Sequence, residues 1–392
     1  MKKRIFINIH YLEIGGAERA LLGLLSSLNP DKVDIDLFVN QHTGEFMPLI
    51  PEWVNLLPEI SEYTCIERPI TTIVKEGHVG IALRRIWAKH KHKQYLNTLT
   101  VEQRQHDASV FQYVADAAAV LCKEKMYKTG INEIAIDIGT NAEILLNCSG
   151  KVFVTSTAAG PAFEGKGIRS GMRAAPGAIN SVKISRVNGN IILGMLDDGK
   201  AENPRGLCGS GLIDAISELM KARLLKKDGY LLTREEALRQ NVNINLCEHL
   251  KSDDKDGNCF ILSEENNIVI TQKDIRNVQL AKGAIQAGCE ILLKKAGIGL
   301  NDINSIKIAG VFGKYIHVSQ AMNFGLFPKY PEKLEIVGNA AGDGAAMALF
   351  EDGFIDEMEK QVKKVHHVEL AGEKDFQKKF MNAMELKEWY YN

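Results

Sequence analysis

The chain has 392 residues, room for two or three domains at ~100–200 residues each. Hydrophobic residues are 45%, charged residues 25% and the net charge is -1, which describes an ordinary globular protein with no global attraction to nucleic acid. No apolar run approaches the ~18 residues of a membrane span, charges return too soon after Met1 for a signal peptide, and the seven widely spaced cysteines contain no C-x-x-C pair, so a cytoplasmic protein with free thiols is expected, without a disulfide framework, zinc knuckle or iron–sulfur cluster.

Arg4–Asn8 opens with a short β-type run. A Gly15-Gly16 turn then starts a helix whose Leu21, Leu22, Leu24, Leu25 and Leu28 form one apolar face, stopped by Asn29-Pro30. Val33–Val39 alternates apolar and acidic residues and reads as the next strand. The three make a βαβ unit. Its Gly-Gly turn either offers N–H groups to a diphosphate or simply lets helix and strand pack closely. Arg84–Lys93 is strongly basic: a solvated helix face, or a contact for phosphate or an acidic partner. His90 and His92 lie two apart and point to different sides of a helix, a poor metal pair. The polar stretch 101–107 is the expected junction.

Ala115–Glu124 reads as an apolar helix. Glu133–Ile138 is a strand with Ile134, Ile136 and Ile138 on one face and Asp137 on the other. The turn Gly139-Thr140-Asn141 leads into Ala142–Asn147, and Ser149-Gly150 into Val152–Val154, giving a β-meander. Its first tip is either a plain hairpin or a phosphate cradle. In the cradle, Gly139 admits backbone, Thr140 and Asn141 donate, and Asp137 orients water or a metal-bound water. Residues 157–178 are rich in glycine and small apolar residues with no helix or strand period, and a loop of that length is expected to be functional. Asn188-Gly189 marks a hairpin. Gly206–Gly211 precedes a helix over 212–224, either an anion site made by the free N–H groups of the helix start or a Gly-rich turn with a serine cap, Ser210, and Cys208 reads as a small buried side chain. Residues 226–270 are polar, and Asp253–Gly257 reads as a solvated turn, since it lacks the calcium-loop spacing. Thr271-x-x-Asp274 starts a helix with Leu280, Ala284, Gly288, Ile291 and Leu292 as its stripe, ending at Gly297. Two strands, Ile306–Ile308 and Leu334–Val337, each run into a glycine turn, Ala309–Gly313 and Gly338–Gly344. Such turns suit a nucleoside held between backbones.

Two resemblances attach to these residues. Gly15-Gly16-Ala17-Glu18-Arg19 and the Leu-rich helix resemble the N-terminal lobe of retaining two-lobe glycosyltransferases, over about the first quarter of the chain. Residues 113 to about 375 resemble the C-terminal ATPase domain of corrinoid activation proteins, in the superfamily of acetate and sugar kinases, heat-shock chaperones and actin. The carriers are Ala135–Ile144, Ser156–Gly165, Gly171–Ile179, Gly206–Gly211, Ala309–Gly313 and Gly338–Gly342. The N-terminal piece is expected to be a Rossmann-like βαβ half, and the second resemblance implies a ribonuclease-H-like α/β lobe with a β-meander and helices on both faces. The domains expected are 1–107, 113–375 and a tail, 376–392.

It also implies ATP-dependent reductive activation, Co(II) to Co(I), of a corrinoid protein or corrinoid-dependent methyltransferase. ATP and Mg2+ are the implied cofactors. Asp137 would be the catalytic carboxylate, with Gly139, Thr140 and Asn141 as phosphate loop. Gly310, Phe312 and Gly313 would form the adenosine loop, with Asn339 and Gly342 near ribose or metal water and Lys282 by the adenine. Glu164, Gly165 and Arg173 mark the loop expected to meet the partner. Residues 1–112 lack the first phosphate loop of the superfamily and the chain lacks cluster-binding cysteines, so a fused or incomplete version is expected. A homodimer is one way to complete the cleft. The competing readings are a fusion using a nucleotide-sugar and a non-catalytic module that binds a corrinoid protein through loop 157–177.

Overall fold

The computed structural model describes residues 2–9, 12, 16–59, 116–196, 203–310 and 316–390. The Gly15 turn residue, the basic patch 84–93, the junction 101–107, Phe312 and Gly313 lie outside the described residues. The chain divides into two units, 1–115 with 342–352, and 116–341 with 353–392.

In the first unit, β1 (Lys3–Ile9), β2 (Val33–Val39) and β3 (Asn55–Leu57) form a parallel sheet in that order. Parallel neighbours need a crossover, and α1 (Gly16–Ser27) supplies the one between β1 and β2. Leu21, Leu22, Leu25 and Leu28 bury against Val33, Ile35, Leu37 and Val39. This is the Rossmann-like half that the apolar spacing predicts.

The second unit opens with a helix over 116–123 (α2). Then β4 (Asn132–Ile138), β5 (Ala142–Cys148) and β6 (Lys151–Thr157) form an antiparallel meander. Two later strands, β13 (Ser305–Ala309) and β14 (Leu334–Gly338), add in parallel on the far side of β4, and β15 (His366–His367) closes the other edge. The order β14-β13-β4-β5-β6-β15 is the ribonuclease-H-like arrangement. Ile134, Ile136 and Ile138 all enter the core, as their period of two requires.

A 25-residue helix, α6 (Gln272–Ala296), packs on β5 and β6. Its start is a capping box, Thr271 with Asp274, and it stops at Gly297 in the left-handed region, φ +71°. Leu280, assigned to its stripe from sequence, faces solvent instead; Ala281, Ala284, Ile285, Ile291 and Leu292 carry the buried face.

A smaller sheet, in the order β8-β7-β9, holds β7 (Ala178–Ile184), β8 (Ile191–Met195) and β9 (Gly206–Leu207), with the Asn188-Gly189 turn between β7 and β8. Beyond the short pairing with β9, the N–H groups of Val182 and Ile184 would lack a partner strand. Asp214 and Glu218 of α3 (Gly209–Lys221) accept them at 3.2 and 3.1 Å. The cap of α3 is Cys208, whose side chain makes no capping bond to the helix backbone, and Ser210 lies inside the helix, which corrects the reading of a serine cap.

Residues 226–270 also depart from their polar reading. They contain helices α4 (Arg234–Arg239) and α5 (Ile244–Glu248) and a sheet of β10 (Leu250–Asp253), β11 (Gly257–Ser263) and β12 (Ile268–Thr271). Asp253–Gly257 is the hairpin turn between β10 and β11, and Arg169 bridges Asp253 and Asp256 at 3.1 and 2.9 Å.

The chain after α7 (Val318–Asn323) passes through β14, α8 (Ala340–Phe350) and α9 (Phe354–Val362) to α10 (Phe376–Ala383), which packs on α6. The segment named a tail is therefore structural, with Leu386 and Trp389 in the core. Among the described residues, no helix is long and apolar enough to cross a membrane.

Candidate functional site

The three-residue turn 139–141 fixes the register of β4 and β5, and places Asp137 opposite Glu143, which in turn lies opposite Ser156 on β6. An acid, an acid and a hydroxyl thus form one row across the meander. Ser156 donates to Glu143 at 3.2 Å. Burial pushes the Asp137 carboxyl up to about 7, with the charges of Glu143 and Asp116 adding to it. Glu143 is raised too, mainly by burial. Two carboxylates held this close favour either a shared proton or a cation between them.

Beside this row, β13 ends against β4. Gly310 has φ +104°, and its N–H donates to Gly338 O on β14 at 2.8 Å. A Cβ at Gly310 would stand 2.7 Å from Ile138 O and 3.1 Å from Asp137 Oδ1. Only glycine permits that approach. The carboxyl ends of β4, β13 and β14 therefore converge, the position at which open α/β sheets bind ligands. Asn339 follows Gly338 directly, and Gly342 lies in the first turn of α8.

At the meander tip, Gly139 N–H donates to Asn141 O at 2.9 Å. Thr140 reaches the glycine-rich loop twice. Its hydroxyl donates to Glu164 Oε1 at 3.0 Å, and its carbonyl accepts from Gly160 N–H at 2.8 Å. Glu164 ends a single 3-10 turn, Ala162–Glu164, and Gly165 follows in the left-handed region. Arg173 is half-buried in the same loop.

So hydrogen bonds tie Gly139 to Asn141 and Thr140 to Glu164, two residues beyond Asp137 on the same strand end, and Gly310 packs beside Asp137 from β13. Lys282 has other commitments. It is buried in α6, and its ammonium donates to Ala383 O at 2.5 Å, Glu385 O at 2.7 Å and Gln286 Oε1 at 3.1 Å. These contacts clamp the C-terminal segment rather than border the Asp137 row. Burial drops its pKa to about 7, with Lys387 adding to the fall. The folded state sheds this proton earlier than the unfolded chain, so wild-type stability rises with pH between 7 and about 10. Lys282→Met is expected to flatten that rise, and its midpoint should fall further below wild type at pH 10 than at pH 7, because two buried carbonyls lose their donor while the burial penalty of the ammonium is gone. Urea midpoints across pH 6–10 check both.

Sequence reasoning missed Glu143, Ser156 and Asp116. The signal for the first was present, since a three-residue turn sets residue 143 across from 137. It also missed the pair of buried Asp214 with His317, whose Nδ1 stands 2.9 Å from Oδ2.

Residues 132–391 match the family described as the C-terminal domain of RACo, the ASKHA domain. The corrinoid activation enzyme RamQ of Eubacterium limosum is 38% identical over 260 residues, 63% of this chain and 42% of that protein. The Co(II) methylated amine-specific corrinoid protein reductase of Methanosarcina barkeri is 27% identical over 294 residues, 70% of this chain and 49% of that protein. A solved reductive activator for a corrinoid, iron–sulfur protein superposes with a TM-score of 0.62 at 32% identity, covering 70% of this chain and 42% of that chain. The chain spans less than half the length of each of these relatives.

Proposed function

The chain belongs, through residues 132–391, to the family of the RACo C-terminal ASKHA domain, and on that premise we propose that it is the nucleotide-binding lobe of an ATP-dependent reductive activator of a corrinoid protein. The observation that carries this reading is the convergence of Asp137, the 139–141 turn and Gly310 at the carboxyl ends of β4 and β13.

The residues fit the implied ligands. Asp137 and Glu143, mutually repelling and part-buried, form a row that a divalent cation would neutralise. Bound Mg2+ would draw charge from the transferring phosphate. The backbone at 139–141 and the Thr140 hydroxyl would hold phosphate oxygens. Gly310 keeps the neighbouring strand end free of a side chain, so a nucleoside can lie against backbone. Asp137 would fix the water that attacks, or the cation that carries it.

In this reading ATP turnover accompanies the return of Co(II) corrinoid to Co(I), the corrinoid protein or its methyltransferase being the partner. The other wall of the cleft and the electron donor come from outside the described residues, a second copy of the lobe being one source for the wall.

Calorimetry with ATP and Mg2+ on the full chain tests the site. Binding in the micromolar range is expected, and no heat at millimolar ATP overturns it. Adding a Co(II) corrinoid protein and a low-potential reductant tests the activity. The visible spectrum should convert to that of Co(I) with ATP and not without it. Equal conversion in both removes the ATP-driven role.

A further inference from the structure

Thr140 is the donor best placed to meet a phosphate oxygen, yet its hydroxyl is given to Glu164 Oε1. A carboxylate oxygen and a phosphate oxygen are similar acceptors, both anionic. We propose that Glu164 stands in for phosphate on Thr140, so that nucleotide binding and release of the 162–171 loop are one event. The inference rests on the nucleotide site argued above and assigns it a built-in regulator.

The geometry makes Glu164 unable to withdraw alone. Gly165 follows it, and its backbone is pressed against that of residues 171–172. A Cβ on Gly165 would lie 2.4 Å from Met172 O, and one on Gly171 would lie 2.1 Å from Gly165 O. Gly171 N–H donates to Ile168 O at 3.0 Å, which closes the loop on itself. The closed loop is fastened at two further points. Met172 N–H donates to Leu207 O at 2.8 Å, and Leu207 N–H to Ser170 O at 2.7 Å, joining it to β9 just ahead of α3. Arg169 N–H donates to Asp274 Oδ1 at 2.9 Å, the carboxylate that caps α6. Its guanidinium bridges Asp253 and Asp256. A displacement of Glu164 therefore strains or shifts a unit that ends on α3 and α6.

The competition has a simple energetic form. Phosphate must displace a carboxylate from Thr140 and then tolerate that like charge close by. Glu164 lowers nucleotide affinity, and nucleotide lowers the hold on the loop by the same factor. A partner that prefers the released loop would then bind better to the nucleotide-loaded chain.

The test combines ATP–Mg2+ calorimetry with hydrogen exchange over residues 160–172, in wild type, Glu164→Gln and Glu164→Ala. In wild type, ATP should speed exchange in this loop severalfold. Glu164→Ala should exchange fast without nucleotide, respond little to ATP and bind ATP roughly tenfold tighter. Glu164→Gln, which keeps an acceptor but loses the charge, should fall between them. If wild type binds ATP but both Glu164 variants bind it equally or more weakly, with an unchanged exchange response, the inference is overturned and the nucleotide site stands. If wild type and both Glu164 variants bind no ATP, the site itself fails and the inference with it.

Discussion

Asparagine at position 137 is expected to reduce ATP turnover by at least ~100-fold while making the folded chain more stable at neutral pH. The two effects have one cause. The Asp137 carboxyl is pushed up to about 7 by burial, then by the charges of Glu143 and Asp116. In the unfolded chain it ionises near 4; in the folded chain it holds its proton until about 7. The Asp137 contribution to stability therefore falls as pH rises from 4 to 7 and stays lowered above that. The neutral amide of Asp137→Asn escapes this penalty, about 2–4 kcal/mol. The gain in urea midpoint of the variant over wild type should be larger at pH 8 than at pH 5. Mg2+ should raise the wild-type midpoint at pH 8 and leave the variant nearly unchanged. A variant that turns over normally, or is less stable than wild type at pH 8, refutes the assignment.

Gly310→Ala should be the most damaging single methyl in the site. The residue sits at φ +104°, where an L side chain is strained, and the new Cβ meets the backbone oxygen of Ile138 at 2.7 Å. Backbone cannot swing aside as a long side chain can. Relief requires β13 to draw back from β4 or Gly310 to lose its bond to Gly338. A loss of about 3–5 kcal/mol is expected, with ATP affinity reduced more than tenfold. Gly160→Ala is the control. It has φ +76° with open space around it, so strain alone should cost about 1 kcal/mol. Equal effects of the two substitutions would mean that close packing at Gly310 matters little.

The elements with a strong period were legible in the sequence. Ile134, Ile136 and Ile138 announced β4, the Leu-rich run announced α1, and Thr271 with Asp274 and Gly297 marked both ends of α6. The site was half legible. Asp137, the 139–141 turn and Gly310 carry local signatures, a strand followed by glycine. Glu143 and Ser156 carry none, because their meaning lies in register across three strands. The carbonyls that Lys282 clamps lie about 100 positions away, beyond any local pattern. The 226–270 sheet was hidden by Asp253, Asp254 and Asp256. Their polarity belongs to one hairpin turn, whereas Phe260, Leu262, Ile268 and Ile270 supply the core.

The strand order has a consequence for how the chain comes to be folded. One edge of β4 is satisfied by the hairpin to β5, a local contact. The other waits for β13, and at its start Asn132 N–H pairs with Asn304, 172 positions along the chain. During synthesis the meander can close early, while that second edge stays open until most of the protein has emerged. An open edge beside three isoleucines invites pairing between nascent chains. The carboxylate near its end, unwelcome in the finished core, is a deterrent to such pairing during that interval.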